Sequence, residues 1–450
     1  MDQHSFLTAR STLARSIAPL IGLLVLVFFV LAYVYGGDLY ERVLLTVSIR
    51  PFPLPFADWE YQPAAAECWQ KGVNVYIAAP CSVTEPNNPM TYSPIWLRLT
   101  FISPAAFWVN ACGLGMALLY LACVAGFTPP ASWWQLWVLT LTTVSSASIL
   151  AIERGNVDVM IFLMIVLGVA GLRGGTLART LGYALFVLAG LLKFYPIVLV
   201  AVAVRERFLF LVGIVLSTAA VLAWFLLTYA DEIRMALANV GGSGKYFTNF
   251  IGAKILPFGL VEVACKAAHA CGPGLAMPLV SYSILAGLLL ATAGAAWYLA
   301  RKGGMQAAFR NPADFDFLLL VASSVAVCGC FFTGNSLLYR GILLVLTLPG
   351  LFRLAATLPD ASARWMVRVA CTLCPIVCWV IGIQTLTNLF TTSGSVVRGL
   401  HWLLNELAWW WIIATLTGVI VGFALNAPSL AGLLSNRARH TGAVSDARTP

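Results

Sequence analysis

The chain has 450 residues, of which 60 % are hydrophobic and only 10 % are charged, and its net charge is +9. Globular proteins average about 45–50 % apolar and about 25 % charged residues. This composition therefore excludes a disordered chain and an ordinary soluble enzyme, and it predicts that the bilayer is the main solvent.

Twelve apolar runs follow one another along the chain. Most are long enough to span a bilayer, which takes about 20 residues. The first lacks a clear cleavage pattern of small residues, so it is predicted to be a membrane span and not a signal peptide. The sequence therefore predicts an all-α polytopic membrane protein with about 12 transmembrane or membrane-embedded helices. The runs are 17–36, 104–126, 135–152, 157–172, 180–192, 194–204, 208–229, 277–300, 317–333, 336–356, 369–388 and 402–424.

The positions of the charges predict the orientation, because cytosolic loops carry an excess of Lys and Arg. With the N-terminus in the cytosol, 15 basic and six acidic residues fall inside, which accounts for the whole net charge of +9. The other 12 basic and 12 acidic residues lie outside and cancel. Both termini are thus predicted to be cytosolic. The basic residues come in ones and twos between apolar runs, which argues against nucleic-acid binding.

The segment 180–204 lies between cytosolic arginines, but its 25 residues are too few for two full spans. It holds Lys193 and Pro196 near its middle. We expect a pair of short helices whose tip, residues 193–196, points into the protein from within the membrane. Broken backbone at that depth has to be buried in protein or line a wet cavity.

Two external loops are long, which is typical of functional loops. Residues 37–103 are rich in proline between Pro51 and Pro94, and residues 230–276 contain the sequence Gly-Gly-Ser-Gly at 241–244. The polar residues 425–450 predict a disordered cytosolic tail.

The cysteines do not suggest a metal site. Seven of the 11 lie within apolar runs, where a small buried side chain is the expected role. The other four form two pairs, Cys68 with Cys81 and Cys265 with Cys271, one in each external loop. Each pair could be a disulfide if that side of the membrane is oxidising.

Ionisable residues at membrane depth or at the outer ends of spans are costly, so each is a functional candidate, with structural pairing as the common alternative. The first is Asp58, which lies between aromatic residues in the proline-rich loop. In a partly dry site its pKa rises towards values useful for a general base. The alternative is a solvated loop acid. Glu60 and Tyr92 in the same loop are further candidates.

The second candidate is the short external turn between the third and fourth spans. Its polar side chains are tethered at the membrane surface, where they could contact a metal, a sugar or each other. The alternative is an ion pair at a helix end, with Asn156 capping the next helix. The residues are Glu153, Arg154, Asn156 and Asp158.

Lys193, at the tip of the predicted hairpin next to Tyr195, is the third candidate. A buried cation near broken helix ends favours an anion, and a lipid-linked phosphate is a suitable one. The alternatives are a snorkelling lysine and an internal salt bridge.

The fourth candidate is Arg340, preceded by Tyr339, near the outer start of the tenth run. An arginine at that depth suits bidentate phosphate binding, or pairing with an acid such as Glu153. His401, at the mouth of the last span, is a weaker candidate. The sequence contains no zinc-protease, P-loop, dinucleotide-binding or Ser-His-Asp pattern.

In order and spacing, these motifs resemble the GT-C superfamily of polyprenol-phosphate-sugar glycosyltransferases, and in particular the bacterial mannosyltransferase-like family 87. Members often show an Asp followed by an aromatic residue, an Ala-rich run and Gly-x-x-x-Tyr, then Tyr-x-Pro, Gly-Asn and Lys-x-x-Pro. Where members often have Gln-x-Asn in the second loop, this chain has residues 153–156. The resemblance covers about residues 17–350. The matching segments are Asp58-Trp59, Ala64-Ala65-Ala66, Gly72-Val73-Asn74-Val75-Tyr76, Tyr92-Ser93-Pro94, Gly155-Asn156 and Lys193-Phe194-Tyr195-Pro196.

The resemblance implies a GT-C-like membrane domain over residues 1–424, with the transferase module at about 17–350 and accessory helices at 351–424. It further implies transfer of a mannose-like hexose from a polyprenyl-phosphate donor to an acceptor hydroxyl, with inversion. Asp58 would be the general base, and Lys193, Tyr195 and Arg340 would bind the donor phosphate. Glu153 and Asp158 would bind the acceptor, orient Arg154 or hold a divalent ion, with Asn156 in the same second-loop site.

The same resemblance implies the partners and the location. The partners are the lipid-phosphate sugar donor, a lipid or glycan acceptor and membrane lipids. No cofactor is required, because two cations already serve the phosphate, and a divalent cation is possible. The location would be the bacterial inner (plasma) membrane, with the active site extracytoplasmic.

Two other functions are alternatives. Twelve segments and a broken helix pair fit alternating access in a transporter or a lipid-linked oligosaccharide flippase, but such a protein should show related halves and short loops. An O-antigen-type polymerase or ligase would place its site in the loop 230–276. A membrane scaffold without chemistry is the remaining interpretation.

Overall fold

The computed structural model describes residues 3–47, 49–240, 250–267, 276–309, 314–334, 336–390 and 394–428. Helices make up most of this part of the chain. The α-helices are α1 Gln3–Tyr35, α2 Gly37–Thr46, α3 Ala57–Gln70, α4 Ala106–Ala125, α5 Trp133–Thr143, α6 Ser146–Glu153, α7 Val157–Leu172, α8 Thr176–Lys193, α9 Phe208–Thr228, α10 Ala230–Asn239, α11 Ile255–Ala267, α12 Ala276–Arg301, α13 Met305–Ala308, α14 Phe315–Thr333, α15 Leu344–Thr357, α16 Ala361–Cys378, α17 Val380–Phe390 and α18 Gly394–Ala424. The 3₁₀ helices are η1 Pro94–Arg98, η2 Tyr195–Arg205 and η3 Leu338–Leu343, and the strands are β1 Phe250–Ile251 and β2 Ser336–Leu337.

The described chain contains ten helical segments that are long and apolar enough to cross a membrane, and two shorter apolar helices. Eleven of the twelve predicted runs correspond to these segments, whereas the run 369–388 covers the second half of α16 and most of α17. The segments confirm an all-α polytopic membrane protein. The ten are Ala14–Tyr35, Ala106–Ala125, Trp133–Glu153, Thr176–Lys193, Phe208–Thr228, Met277–Arg301, Phe315–Thr333, Leu338–Thr357, Ala361–Cys378 and Val396–Ala424; the shorter two are Val157–Leu172 and Tyr195–Arg205.

The two long connections predicted as loops contain helices of their own. The first holds α2, α3 and η1, and the second holds α10 and α11. The predicted boundary between residues 350 and 351 lies inside α15. Residues 241–244, Cys271 and the tail from residue 429 onward lie outside the described residues.

Burial separates the centre of the bundle from its periphery. In 18-residue stretches of the apolar segments Phe315–Thr333 and Leu338–Thr357, 83 % and 89 % of the residues are buried, whereas the value is 17 % in such stretches of Ala14–Tyr35, Phe208–Thr228 and Met277–Arg301. A helix that is apolar on every side is stable only when protein or lipid surrounds it. The peripheral helices therefore expose apolar surface of the kind that faces lipid.

The predicted hairpin is present, but its first helix starts earlier, at Thr176. The 11 residues of η2 rise about 2 Å each, so they return about 22 Å along the bundle. At the base of the hairpin, the Arg179 guanidinium donates to Glu206 Oε2 at 2.8 Å. Gly182 lets α8 approach α7 closely, because a Cβ there would lie 2.7 Å from the Gly168 carbonyl oxygen.

Candidate functional site

The site is built on the contact between α3 and the turn that joins α6 to α7. The Phe56 amide donates to the Glu153 carbonyl at 2.6 Å, and the Asp58 amide donates to the Arg154 carbonyl at 2.9 Å. Phe56 precedes α3 with a left-handed backbone (φ 60°). These bonds fix Asp58, in the first turn of α3, over the turn. We call the end of the bundle that carries this turn the site end.

Gly155 permits this close contact. Its φ is +57°, a conformation that side chains disfavour, and a Cβ there would lie 2.8 Å from Cβ of Trp59. The glycine of the predicted Gly-Asn motif therefore has a steric reason, because Phe56 and the first turn of α3 lie directly against it.

Asn156 connects the acid of α3 to the cation of the hairpin. As predicted, it caps the next helix, since its Oδ1 accepts from the Asp158 amide at 3.0 Å. The same oxygen accepts from Lys193 Nζ at 2.8 Å. Its Nδ2 donates to Asp58 Oδ2 and lies 3.4 Å from the Tyr92 hydroxyl. Asp58 and Lys193 are thus separated by one side-chain amide.

Asp158 is fully buried and is shared by three groups. Its Oδ2 lies 2.8 Å from Lys193 Nζ and 3.7 Å from Arg340 Nε. Its Oδ1 accepts from the Tyr195 hydroxyl at 2.7 Å. Asp158 therefore balances cations from the hairpin tip and from η3.

The break at Phe194 places two hairpin residues on that one acid. Phe194 has φ +58° and ψ −61°, and it separates the end of α8 from the start of η2. Because the chain turns there, Lys193 and Tyr195 both reach Asp158. The Trp96 indole donates to the Leu192 carbonyl at 3.2 Å and so holds the end of α8 beneath the first long connection.

Arg340 is positioned by the short sheet and by η3. Strand β1 pairs antiparallel with β2, with Ile251 opposite Ser336. The Ser336 hydroxyl accepts from Arg340 Nη1, while Arg340 Nε is buried and makes no hydrogen bond. The guanidinium also lies 4.6 Å from the ring centroid of Tyr195.

Aromatic rings enclose the lysine. Its ammonium lies 5.5 Å from the ring centroid of Tyr92 and 4.9 Å from that of Tyr339, which are cation–π distances. The site thus combines two acids, Asp58 and Asp158, with two cations, Lys193 and Arg340, and carries no formal net charge.

Asp58 is the half-buried acid of the pair, whereas Asp158 is closed off by its partners. Burial raises the pKa of Asp58 above its ordinary value, while Arg154 and the hydrogen bond from Asn156 act in the opposite direction. A carboxyl group with a raised pKa and an accessible edge is suited to accept a proton from a substrate.

Glu153 and Arg154 form a neighbouring pair beside the cluster. Arg154 Nε lies 3.3 Å from Glu153 Oε2, and the Tyr40 hydroxyl donates to Glu153 Oε1 at 3.3 Å. The Arg154 guanidinium also stacks 3.8 Å from the ring centroid of Phe52. The predicted alternative of an ion pair at a helix end describes this pair.

Two further candidates lie apart from the cluster. Glu60 is buried inside the first long connection, where it accepts from Ser82 Oγ at 2.7 Å and Thr84 Oγ1 at 2.6 Å. Through these bonds Glu60 stabilises the fold of the first long connection. His401 lies in α18 and makes no hydrogen bond or ion pair with the cluster among the described residues.

The Cys68–Cys81 disulfide forms as one of the two predicted pairs, with 5.6 Å between the Cα atoms. It closes the connection that follows α3. The seven cysteines predicted to be small buried side chains of the spans are free thiols. The second predicted pair includes Cys271, which lies outside the described residues, and it stays a prediction.

Sequence reasoning missed Trp96 and Ser336, which position the hairpin tip and Arg340. The signal for Trp96 was the preceding Ser93-Pro94, because Ser93 caps η1 by accepting from the Ile95 amide. Ser336 carried no comparable signal.

Among the described residues, no group of three His, Cys, Asp or Glu side chains is arranged to hold a metal ion. The possible divalent cation therefore stays a prediction. No protein-family model matches the chain, and neither a curated protein nor a solved structure is significantly similar to it.

Proposed function

We propose that the protein transfers a hexose, mannose-like in class, from a polyprenyl-phosphate donor to an acceptor hydroxyl, with inversion at the anomeric carbon. The observation that carries the proposal is the bridge through Asn156, which holds Asp58 and Lys193 one amide apart at the site end. The order of the Asp-aromatic, Gly-Asn and Lys-x-x-Pro motifs, which resembles family 87, supports the same reaction.

In this reaction Asp58 is the general base. The acceptor oxygen attacks the anomeric carbon, its proton passes to Asp58, and the bond from that carbon to the phosphate oxygen breaks. The electron pair leaves with the phosphate, which is a good leaving group and needs no strong acid. The half-buried position of Asp58 and its raised pKa support this role.

Lys193 and Arg340 stabilise the charge that develops on the leaving phosphate. Fixed cations aimed at a developing anion are a large source of rate enhancement. Before the donor binds, Asp158 lies against both cations and compensates part of their charge. The donor phosphate then shares them with Asp158, and Tyr195 holds Asp158 in place through its hydroxyl.

The proposal places the site end outside the cytoplasm of a bacterial cell, with the chain in the inner membrane and both termini cytosolic. The excess of basic residues on the opposite side supports this orientation. The Cys68–Cys81 disulfide in the first long connection supports an oxidising compartment on the site side.

The proposal is tested with the purified protein in proteoliposomes supplied with radiolabelled polyprenyl-phosphate mannose and a membrane extract as acceptor. The wild type should form a labelled product, and Asp58→Asn should lower the rate at least 1,000-fold while leaving expression and thermal stability intact. Asp231→Asn, which changes an exposed acid at the site end, is the matched control.

Two results would contradict the proposal. Retained transfer by Asp58→Asn removes Asp58 from the role of base. Movement of the labelled lipid across the bilayer without sugar transfer identifies the transporter or flippase alternative instead.

A further inference from the structure

A cavity of about 200 Å³ lies between α1 and α4, beside the site. Its wall follows α1 from Gly22 to Val34, which at 1.5 Å per residue is about 18 Å. One end of the cavity lies where Gly22 of α1 meets Leu121 of α4, away from the site end. The other end lies at Glu153, beside the turn that joins α6 to α7. The cavity therefore runs along the membrane-spanning part of the bundle and ends at the level of the site.

The cavity is apolar along its length and polar at the site end. Tyr40, Asn110 and Glu153 line that end. Asn110 Oδ1 and Glu153 Oε2 are both buried, and neither accepts a hydrogen bond. Arg154 Nε lies 3.3 Å from Glu153 Oε2 as an ion pair without a hydrogen bond. A buried acceptor without a donor costs about 1–3 kcal/mol, so the pair favours a ligand that brings a donor.

The charges at this end select among lipid head groups. Glu153 and Arg154 already neutralise each other, so neither a phosphate nor an ammonium finds a free counter-ion there. A hydroxyl donates and accepts, and it carries no charge to desolvate. A lipid hydroxyl can donate to Asn110 Oδ1 or Glu153 Oε2, and it can accept from an N–H or O–H group at the polar end of the cavity.

We propose that this cavity binds a neutral membrane lipid with a free hydroxyl group. Its hydrocarbon chain lies along α1 and α4, and its hydroxyl lies between Asn110 and Glu153. This binding site is separate from the Lys193 and Arg340 cluster, and it does not depend on the proposed transfer reaction.

The test uses 1,2-dioleoylglycerol with a photoreactive diazirine in one acyl chain, added to the full chain in phosphatidylcholine nanodiscs. Mass spectrometry maps the labelled peptides. Labelling should fall on α1 and α4, and Val30→Trp, which fills the cavity from its wall, should lower it at least fivefold. Val27→Trp, on the lipid-exposed side of the same helix, should leave it unchanged.

Equal labelling of these two variants, or labelling elsewhere in the chain, would overturn the site. If Val30→Trp unfolds, Leu26→Trp tests the same wall, with thermal unfolding measured for each variant.

The hydroxyl is tested separately with the 3-O-methyl ether of the same probe. The ether should label the wild type at least fivefold less than the alcohol, and Asn110→Leu should bring the two probes close to equal. Equal labelling of the wild type by both probes, or stronger labelling by a diazirine phosphatidic acid, would overturn the assignment of a neutral hydroxyl lipid.

Discussion

The Lys193 ammonium lies 2.8 Å from the Asp158 carboxylate, and both side chains are buried. The contact joins the end of α8 to the first turn of α7. Arg340 and Tyr195 approach the same carboxylate. An acid with three partners is a structural centre of the site, and removing it leaves the buried Lys193 and the half-buried Arg340 without this counter-ion.

Asp158→Ala should therefore destabilise the protein more than Lys193→Met does. Breaking a buried ion pair by removing one partner costs about 3–5 kcal/mol. In Lys193→Met, the carboxylate keeps Arg340 and Tyr195, so the loss is smaller. The combined variant should lose less than the sum of the two, because the residues share one interaction. Unfolding titrations with sodium dodecyl sulfate measure all three, and strictly additive losses would contradict the shared contact.

The Lys193→Met variant also tests the proposed phosphate contact. We expect its KM for the polyprenyl-phosphate donor to rise at least tenfold, with a much smaller change for the acceptor, because a charge-assisted contact to the phosphate is lost. Steady-state transfer with each substrate varied in turn gives both constants. Equal losses for the two substrates would indicate a purely structural lysine.

The transfer rate should fall on acidification at a pH above the ordinary pKa of an aspartate. A base works only when deprotonated, and burial raises the pKa of Asp58, so activity rises with pH through that raised pKa. Arg154 lowers the same pKa. Arg154→Gln should therefore move the acidic limb of the profile to higher pH.

The control for this shift is Arg98→Gln, since Arg98 pairs with Glu232 at the surface. Profiles of kcat/KM against pH are the measurement. An acidic limb that stays in place in Arg154→Gln, or moves equally in both variants, would contradict Asp58 as the titrating base.

The spans and the hairpin break could be predicted because both depend on local sequence. A run of apolar residues fixes a membrane helix, and Lys193 with Pro196 marks where α8 has to end. The pairing of charges could not be predicted in the same way. Glu153 was the example of an acid predicted to pair with Arg340. In the structure Arg340 lies beside Asp158, five positions further along the chain than Glu153.

Asp58 and Glu60, only two positions apart in the chain, also have partners that could not be predicted from the sequence. Both are acids in one aromatic stretch, and only the resemblance to family 87 singled out Asp58 as the base. The stretch is the first turn of α3, where residues two positions apart point about 200° from each other. Asp58 therefore faces Asn156, and Glu60 faces the hydroxyls of Ser82 and Thr84.

Removal of the Cys68–Cys81 disulfide should loosen the first long connection. A cross-link over a loop of about 15 residues contributes about 3 kcal/mol by restricting the unfolded chain. Cys68→Ser with Cys81→Ser should therefore lower the unfolding temperature and speed proteolysis within residues 50–103. Cys112→Ser, which removes a free thiol, is the control. A reductant that destabilises the wild type and the double variant equally would contradict this role.

Gly155→Ala should disturb the site without removing any of its polar groups. The left-handed backbone at this position costs a side-chain-bearing residue about 1–2 kcal/mol. The new Cβ would also lie 2.8 Å from Cβ of Trp59, so α3 has to move away from the turn. Asp58 moves with α3 relative to Lys193, and a displacement of about 1 Å can cost 100-fold in rate.

Gly213→Ala is the matched control, because a Cβ at that position in α9 meets nothing within 4 Å. It should leave the transfer rate unchanged and stability equal or slightly higher, since alanine favours a helix over glycine. Thermal unfolding and single-turnover transfer are measured for both variants. If Gly155→Ala keeps the full rate of transfer, the positioning of Asp58 by the turn does not set the rate. If its rate falls while its unfolding temperature drops by only a few degrees, the contact between α3 and the turn acts on the reaction itself.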